Sequence, residues 1–119
     1  MSASALHATA FYTEVAAKQL VFTLLEEDSF PVLRIDGSDV VPFWSSRSRV
    51  ERVRAEHSKY ANHVIEEISL PDFLAKTLAL LEEERIRVGV NWSGPRLTGY
   101  DVSVSDVRSN VAHRLRSEG

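Results

Sequence analysis

The sequence predicts an α+β fold, a largely antiparallel sheet with about four helices packed mainly on one face. Three observations lead there. Short runs rich in β-branched and aromatic residues follow one another between residues 19 and 43, joined by tight polar turns. Residues 85–92 alternate with a strict period of two. Stretches with a helical period and recognisable caps stand before, between and after these strands. A chain of 119 residues and 13.4 kDa fits one domain, residues 1–119. Its folded surface should be roughly 6,500 Å² against about 19,000 Å² unfolded, enough burial for a core without staples.

Residues 3–18 read as the first helix. Ala8, Phe11, Val15 and Lys18 keep the period, and the many alanines suit close packing on something broad, such as a sheet. Residues 19–25 form a strand, Glu26-Glu27-Asp28-Ser29 a polar turn, and residues 31–35 a second strand with Leu33 and Ile35 on one face. Asp36-Gly37-Ser38 turns the chain into a third strand, residues 39–43, which Pro42 places at a sheet edge or a strand end. Links this short predict an antiparallel meander.

Ser45 or Ser46 caps a second helix running to about His57. Val50 and Val53 are its thin apolar stripe, and Arg47, Arg49, Arg52 and Arg54 surround the rest. Residues 59–63 are a loop and residues 64–68 a short strand. Ser69-Leu70-Pro71-Asp72 starts a third helix, with a serine cap, proline in the first turn and an acid placed to close a capping box. Phe73, Leu74, Thr77, Leu78 and Leu81 make its buried face. Glu82, Glu83 and Glu84 oppose the dipole at its end and need solvent or a partner such as Arg85 or Arg87. In residues 85–92, Ile86, Val88, Val90 and Trp92 face one way and Arg87, Gly89 and Asn91 the other. Ser93-Gly94-Pro95 is a turn, residues 97–100 a brief returning strand, and Ser103 with Asp106 caps a final helix striped by Val104, Val107, Val111 and Leu115.

Composition removes several functions. There is no cysteine, which excludes disulfides, thiolate metal sites and a cysteine nucleophile. The first ten residues carry neither a basic residue nor an apolar run, so no signal peptide is expected, no apolar stretch reaches membrane length, and a cytoplasmic protein is expected. The net charge of -3 argues against nonspecific binding to a phosphate backbone. His7, His57, His63 and His113 show no ligand spacing, so neither a metal nor a cofactor is expected. No nucleophile elbow, phosphate-cradling loop or dinucleotide fingerprint occurs, and no catalytic residue is assigned.

Two segments concentrate chemistry. In the first, a strand ends and a helix begins on Trp44, Ser45, Ser46, Arg47 and Arg49; free N–H groups, the helix dipole and arginine suit an anion, with Trp44 beside it to stack on a ring. The second joins Asn91, Trp92 and Ser93 to Tyr100 and Asp101 across glycine-bearing loops and suits one wall of a pocket. The simpler account makes Ser45 an N-cap, the tryptophans core, Asp101 the cap of the last helix and the arginines solvated surface. The arginines of the second helix do not line one face, and Glu51 and Glu56 dilute them, so nucleic-acid binding there is not favoured.

The runs at residues 42–49, 88–94 and 98–101, with Phe11-Tyr12, Val21-Phe22-Thr23 and Phe30-Pro31, resemble the bacterial domain-of-unknown-function 2750 family over most of the chain, from about Phe11 to Val111. The resemblance implies a small standalone bacterial protein and carries no activity and no catalytic residues with it. Three functions are therefore carried forward. The first is a non-enzymatic protein-binding domain, in particular an immunity-type protein that neutralises a toxin, with the acidic runs at residues 26–28 and 82–84 steering a basic partner. The second is a small-ligand or anion-binding domain, or an enzyme, with a pocket between the two tryptophan segments, on which Trp44, Arg47, Asn91, Trp92 and Tyr100 should converge. The third is nucleic-acid binding through the arginine-bearing helix. A protein partner is expected, a membrane is not, and oligomeric state is open.

Overall fold

The computed structural model describes residues 2–118. Helix α1 spans Ala3–Lys18, capped by the Ser2 hydroxyl on the Ala5 N–H and closed by Gln19 in the left-handed region. Strands β1 (Leu20–Leu25), β2 (Leu33–Ile35) and β3 (Ser38–Phe43) follow, then helix α2 (Arg47–Glu56) and a single 3₁₀ turn (Ser58–Tyr60). Strand β4 (Val64–Ser69) leads into α3, residues 70–83, which is α-helical at both ends and π-helical over Phe73–Thr77. Strands β5 (Arg87–Ser93) and β6 (Thr98–Val102) precede the last helix, α4 (Val104–Glu118). The exposed surface, 6746 Å², is close to the value chain length dictates.

The architecture is α+β, with four helices around a curled sheet whose pairings are mostly antiparallel. One part runs β2-β3-β5-β6, where β3 and β5 are parallel and the other two pairs antiparallel. The other part is the antiparallel pair β1-β4, in register from Leu20↔Ser69 to Leu25↔Val64. Phe22 and Trp44 exchange two backbone hydrogen bonds of 2.8 Å and stitch the parts together.

Two local expectations are corrected, and one that left two alternatives is decided. The first three strands do not form a meander. Glu27 and Asp28 both adopt positive φ in a two-residue turn, and the chain then leaves β1 altogether; β1 takes β4 as its neighbour, and only β2 and β3 form a hairpin, through Asp36-Gly37. Strand β3 is interior rather than an edge, and Pro42 meets the other expectation instead, standing at the strand's end one residue before Phe43. The Thr23 hydroxyl donates to the Pro42 carbonyl, which fixes that side of Pro42 toward β1, beyond the last residue that β2 pairs. The missing N–H therefore falls where no ladder bond is needed. In β5 the register slips between Val90 and Ser93, where Asn91 adopts φ 51°; this bulge swings Trp92 off the Val88–Val90 face.

The sheet divides two cores. The larger takes Phe11 and Val15 of α1, Phe73, Leu78 and Leu81 of α3, and Val104, Val107 and Val111 of α4, packed on Val21, Val41, Phe43, Val88 and Val90. Three of the four helices thus cover one side. The π turn joins the Leu78 N–H to the Phe73 carbonyl and sets these two residues, five apart, on one buried face. The smaller core lies behind the sheet, where Val50 and Val53 of α2 meet Phe22, Leu24, Trp44 and Tyr60. Leu115, expected in the α4 stripe, is 37% exposed and stands outside the core that Val104, Val107 and Val111 enter. Glu82, Glu83 and Glu84 are exposed to solvent.

Candidate functional site

The two tryptophan segments meet. Strand β3 runs straight into Trp44 and Ser45, and Ser46 then caps α2, its hydroxyl 3.3 Å from the Arg49 N–H. The β5 bulge turns the Asn91 side chain inward against this corner; asparagine is among the few residues that accept the left-handed conformation the bulge requires. Asn91 is 1% exposed and Ser45 fully buried.

Their polar groups satisfy one another. The Ser45 N–H donates to Asn91 Oδ1 at 2.9 Å, and Asn91 Nδ2 donates to the His7 carbonyl at 3.1 Å and to Ser45 Oγ at 3.0 Å. Ser45 Oγ–H in turn donates to Glu14 Oε1 at 2.6 Å. Arg49 holds the same carboxylate with Nε at 3.3 Å and Nη2 at 3.0 Å. Trp44 Nε1–H donates to the Trp92 carbonyl at 2.8 Å, and Trp92 Nε1–H to the Tyr100 carbonyl at 2.9 Å. The network joins α1, the start of α2, β5 and β6 through buried and half-buried hydrogen bonds, of which the half-buried ones to Glu14 are charge-assisted. Partial burial works against the charge on Glu14, but the Arg49 guanidinium and the Ser45 hydroxyl, with Lys18 nearby, outweigh it and hold the carboxyl below its usual range.

Trp44, Asn91, Trp92 and Ser93 line a cavity of about 70 Å³ closed by Arg49, Arg52, Val53 and His57. That is room for a few waters and no organic substrate. Of the five side chains expected to converge, Trp44, Asn91 and Trp92 do. Arg47 instead lies over the Phe22 ring, 5.6 Å from its centroid, and pairs with Glu67 at 3.6 Å. Tyr100 is 46% exposed and faces a different groove. Asp101 does not cap the last helix; it accepts from Arg87 Nε at 2.6 Å, and Ser103 caps α4 with its hydroxyl 3.0 Å from the Asp106 N–H. Ser46 and Ser48 border an open hollow with Lys18, Arg49 and Arg52, where the expected anion would lie; its Arg49 is already bound to Glu14.

One pair escaped the sequence reading. Ser93 Oγ lies 3.1 Å from His7 Nδ1, though 86 residues separate them. Among the described residues no carboxylate orients His7, and the small cavity beside the pair admits no acyl substrate, so the contact fastens α1 to the end of β5. No sequence signal marks it, because it depends on how α1 lies along the sheet.

The arginines of α2 are largely engaged. Arg47 and Arg49 are paired as above, and Arg54 donates to the His63 carbonyl at 2.9 Å. Among the described residues no group of three or more His, Asp or Glu side chains is placed to hold a metal ion, and no helix is long and apolar enough to cross a membrane.

A larger concavity lies elsewhere. A groove of about 550 Å³ opens between the turn after β1, the segment entering β2, and the 3₁₀ turn. Glu26, Glu27, Pro31 and a half-exposed Val32 are among the residues that line it. At its end His63, 8% exposed, sits 3.2 Å from Glu26 and edge-on to the Tyr60 ring.

Residues 8–111 match the model of a family described as a protein of unknown function (DUF2750). A search of curated proteins finds no match to the chain.

Proposed function

Because the chain belongs to the DUF2750 family, whose description assigns no activity, we propose from its surface that it is a non-enzymatic protein-binding domain that docks an extended, basic and apolar segment of a partner in the groove beside β2. The observation that carries this reading is a contrast. The polar groups of the tryptophan segments are bound to one another around a cavity too small for a substrate, whereas the open groove presents an exposed Glu27 and Val32 beside the edge strand β2, with Glu26 drawn toward His63. Three features of the groove select the occupant. Glu26 and Glu27, with Asp28 in the same turn, provide negative charge, and among the groove's residues only Lys59 carries a fixed positive one. Val32, 50% exposed, and Pro31 offer an apolar strip. Strand β2 is the edge of its sheet, so its outer backbone groups are open to an added strand.

The immunity-type role is the specific form of this proposal, with a toxin as the partner and the docked domain covering its working surface. Its support is the acidic turn at residues 26–28 and the solvent-exposed Glu82, Glu83 and Glu84, which would speed encounter with a basic protein.

The test is cross-linking mass spectrometry on a co-purified complex, repeated with Val32→Asp and Glu27→Arg and with Glu51→Arg, exposed on α2 and outside the groove, as a control. The proposal expects cross-links from residues 26–33 and at least tenfold less partner with the first two variants. Cross-links that map elsewhere, equal recovery with every variant, or repeated recovery of this chain alone would refute it.

A further inference from the structure

Exposed apolar side chains gather in one further place. Val32, 50% exposed, and Leu80, 47% exposed, are far apart in sequence and line the same surface hollow of about 280 Å³, which the segment entering β2 and the end of α3 share. Phe30 and Ile86, partly buried, also line it while packing against the larger core. A single exposed apolar residue is ordinary, but several lining one hollow are the pattern of an interaction site. The hollow adjoins the groove of the proposed function. Ser29, Phe30 and Val32 line both, so an extended chain lying in the groove reaches the hollow over a continuous surface.

The charge here is of one sign. Asp28 and Glu84 are the charged residues among those that line the hollow, both are exposed, and among the described residues neither forms an ion pair. Glu26 in the groove, by contrast, already has His63 3.2 Å away. A partner that covered Asp28 and Glu84 without bringing a cation would bury unpaired carboxylates, which is costly. Charge complementarity therefore selects a basic occupant. The volume limits its size. It falls just under the roughly 300 Å³ at which pockets for whole small molecules begin, and suits one large side chain.

We propose that this hollow is the anchor subsite of the docking surface. It takes one leucine, methionine or phenylalanine of the partner's extended segment, and a lysine or arginine next to that anchor meets Asp28 or Glu84. The inference rests on the proposed function for the kind of partner, and adds the residue pattern that the partner must carry. An apolar anchor in a pocket with charged contacts at its rim is how most binding energy concentrates in such interfaces.

The test is an amide chemical-shift titration of the full chain with the synthetic peptide acetyl-Lys-Thr-Leu-Arg-Thr-Lys-amide. Two further peptides serve as comparisons, one with serine in place of the leucine and one with glutamate in place of every basic residue. The first peptide should shift Leu80, Glu84 and Ile86 together with residues 26–33, and the other two should bind far more weakly. Leu80→Gln and Glu84→Arg should each weaken the first peptide about fivefold, the one by loss of apolar contact and the other by charge reversal. Both side chains are exposed, so the melting temperature should hold; if Leu80→Gln lowers it, Glu84→Arg decides. No shift at millimolar peptide, equal binding of the serine or the glutamate peptide, or unaltered affinity in Glu84→Arg would overturn the proposal. Shifts confined to Glu26, Glu27 and Lys59 would overturn the anchor and keep the groove. Shifts at Leu80, Glu84 and Ile86 alone would keep the hollow as a docking site and refute the groove.

Discussion

Asn91 does the most with one side chain. Its amide accepts from the Ser45 N–H and donates to the His7 carbonyl and the Ser45 hydroxyl, so three distant segments depend on it. Asn91→Ala would leave those groups unpaired inside the protein and put alanine at φ 51°. The expected loss is about 2–4 kcal/mol, summed from unsatisfied groups and left-handed strain, and urea denaturation would measure it. Asn91→Gly, which relieves the strain but not the lost hydrogen bonds, should recover only part of it.

Glu14 brings a pH dependence to the same network. Its carboxyl is held below the ordinary value of 4.5, so its contribution to stability is complete above that value and disappears as pH falls through the lower folded-state value. Glu14→Gln should therefore be less stable than the wild type at about pH 7, and the difference should shrink on acidification to about pH 3. Urea midpoints at the two pH values decide the matter; a difference that does not change with pH would mean the pair with Arg49 contributes nothing through charge.

At the scale of elements, the β5–β6 hairpin is built around one indole. A Cβ on Gly99 would stand 2.5 Å from Trp92 Cδ1, and one on Gly89 would stand 2.7 Å from Trp92 Cε2. Both glycines are thus required by the ring that the Asn91 bulge turns toward them. Gly99→Ala and Gly89→Ala should each cost about 1–3 kcal/mol by overpacking. Both displace the same ring, so the double variant should lose less than the sum of the two, and a double-mutant cycle in denaturant would read the coupling. Strict additivity would show that the ring does not move as a unit.

For the whole molecule, the question is whether two cores fold as one. Phe43 and Trp44 are neighbours in sequence that enter opposite cores, and β1 holds Val21 in the larger and Phe22 and Leu24 in the smaller. The Phe22–Trp44 bridge and the Thr23 hydroxyl on the Pro42 carbonyl join the β1-β4 pair to the rest. Neither core can open without exposing a strand of the other, so unfolding should be a single transition. Tryptophan fluorescence and far-ultraviolet circular dichroism should give the same midpoint, and separated midpoints would identify α2 with β1-β4 as an independent unit.

By itself the sequence determined what depends on neighbours along the chain. The extent of α1, the Ser69 and Ser103 caps, the Asp36-Gly37 hairpin, the apolar stripe of α3 and the Val104, Val107 and Val111 part of the α4 stripe follow from local periodicity and capping chemistry, and the structure shows them; between Ser45 and Ser46 it selects Ser46 as the cap of α2. The tertiary structure decided which strands pair, because β1 prefers β4 for reasons of burial that no turn length reveals. It also decided which face Trp92 occupies. A one-residue bulge reverses every later side chain, and strict alternation in the sequence carries no sign of it. The same holds for the candidate site. Trp44, Ser45, Asn91 and Trp92 were legible as a concentration of chemistry, but whether their polar atoms face a ligand or one another is a matter of distances across the fold, and here they face one another.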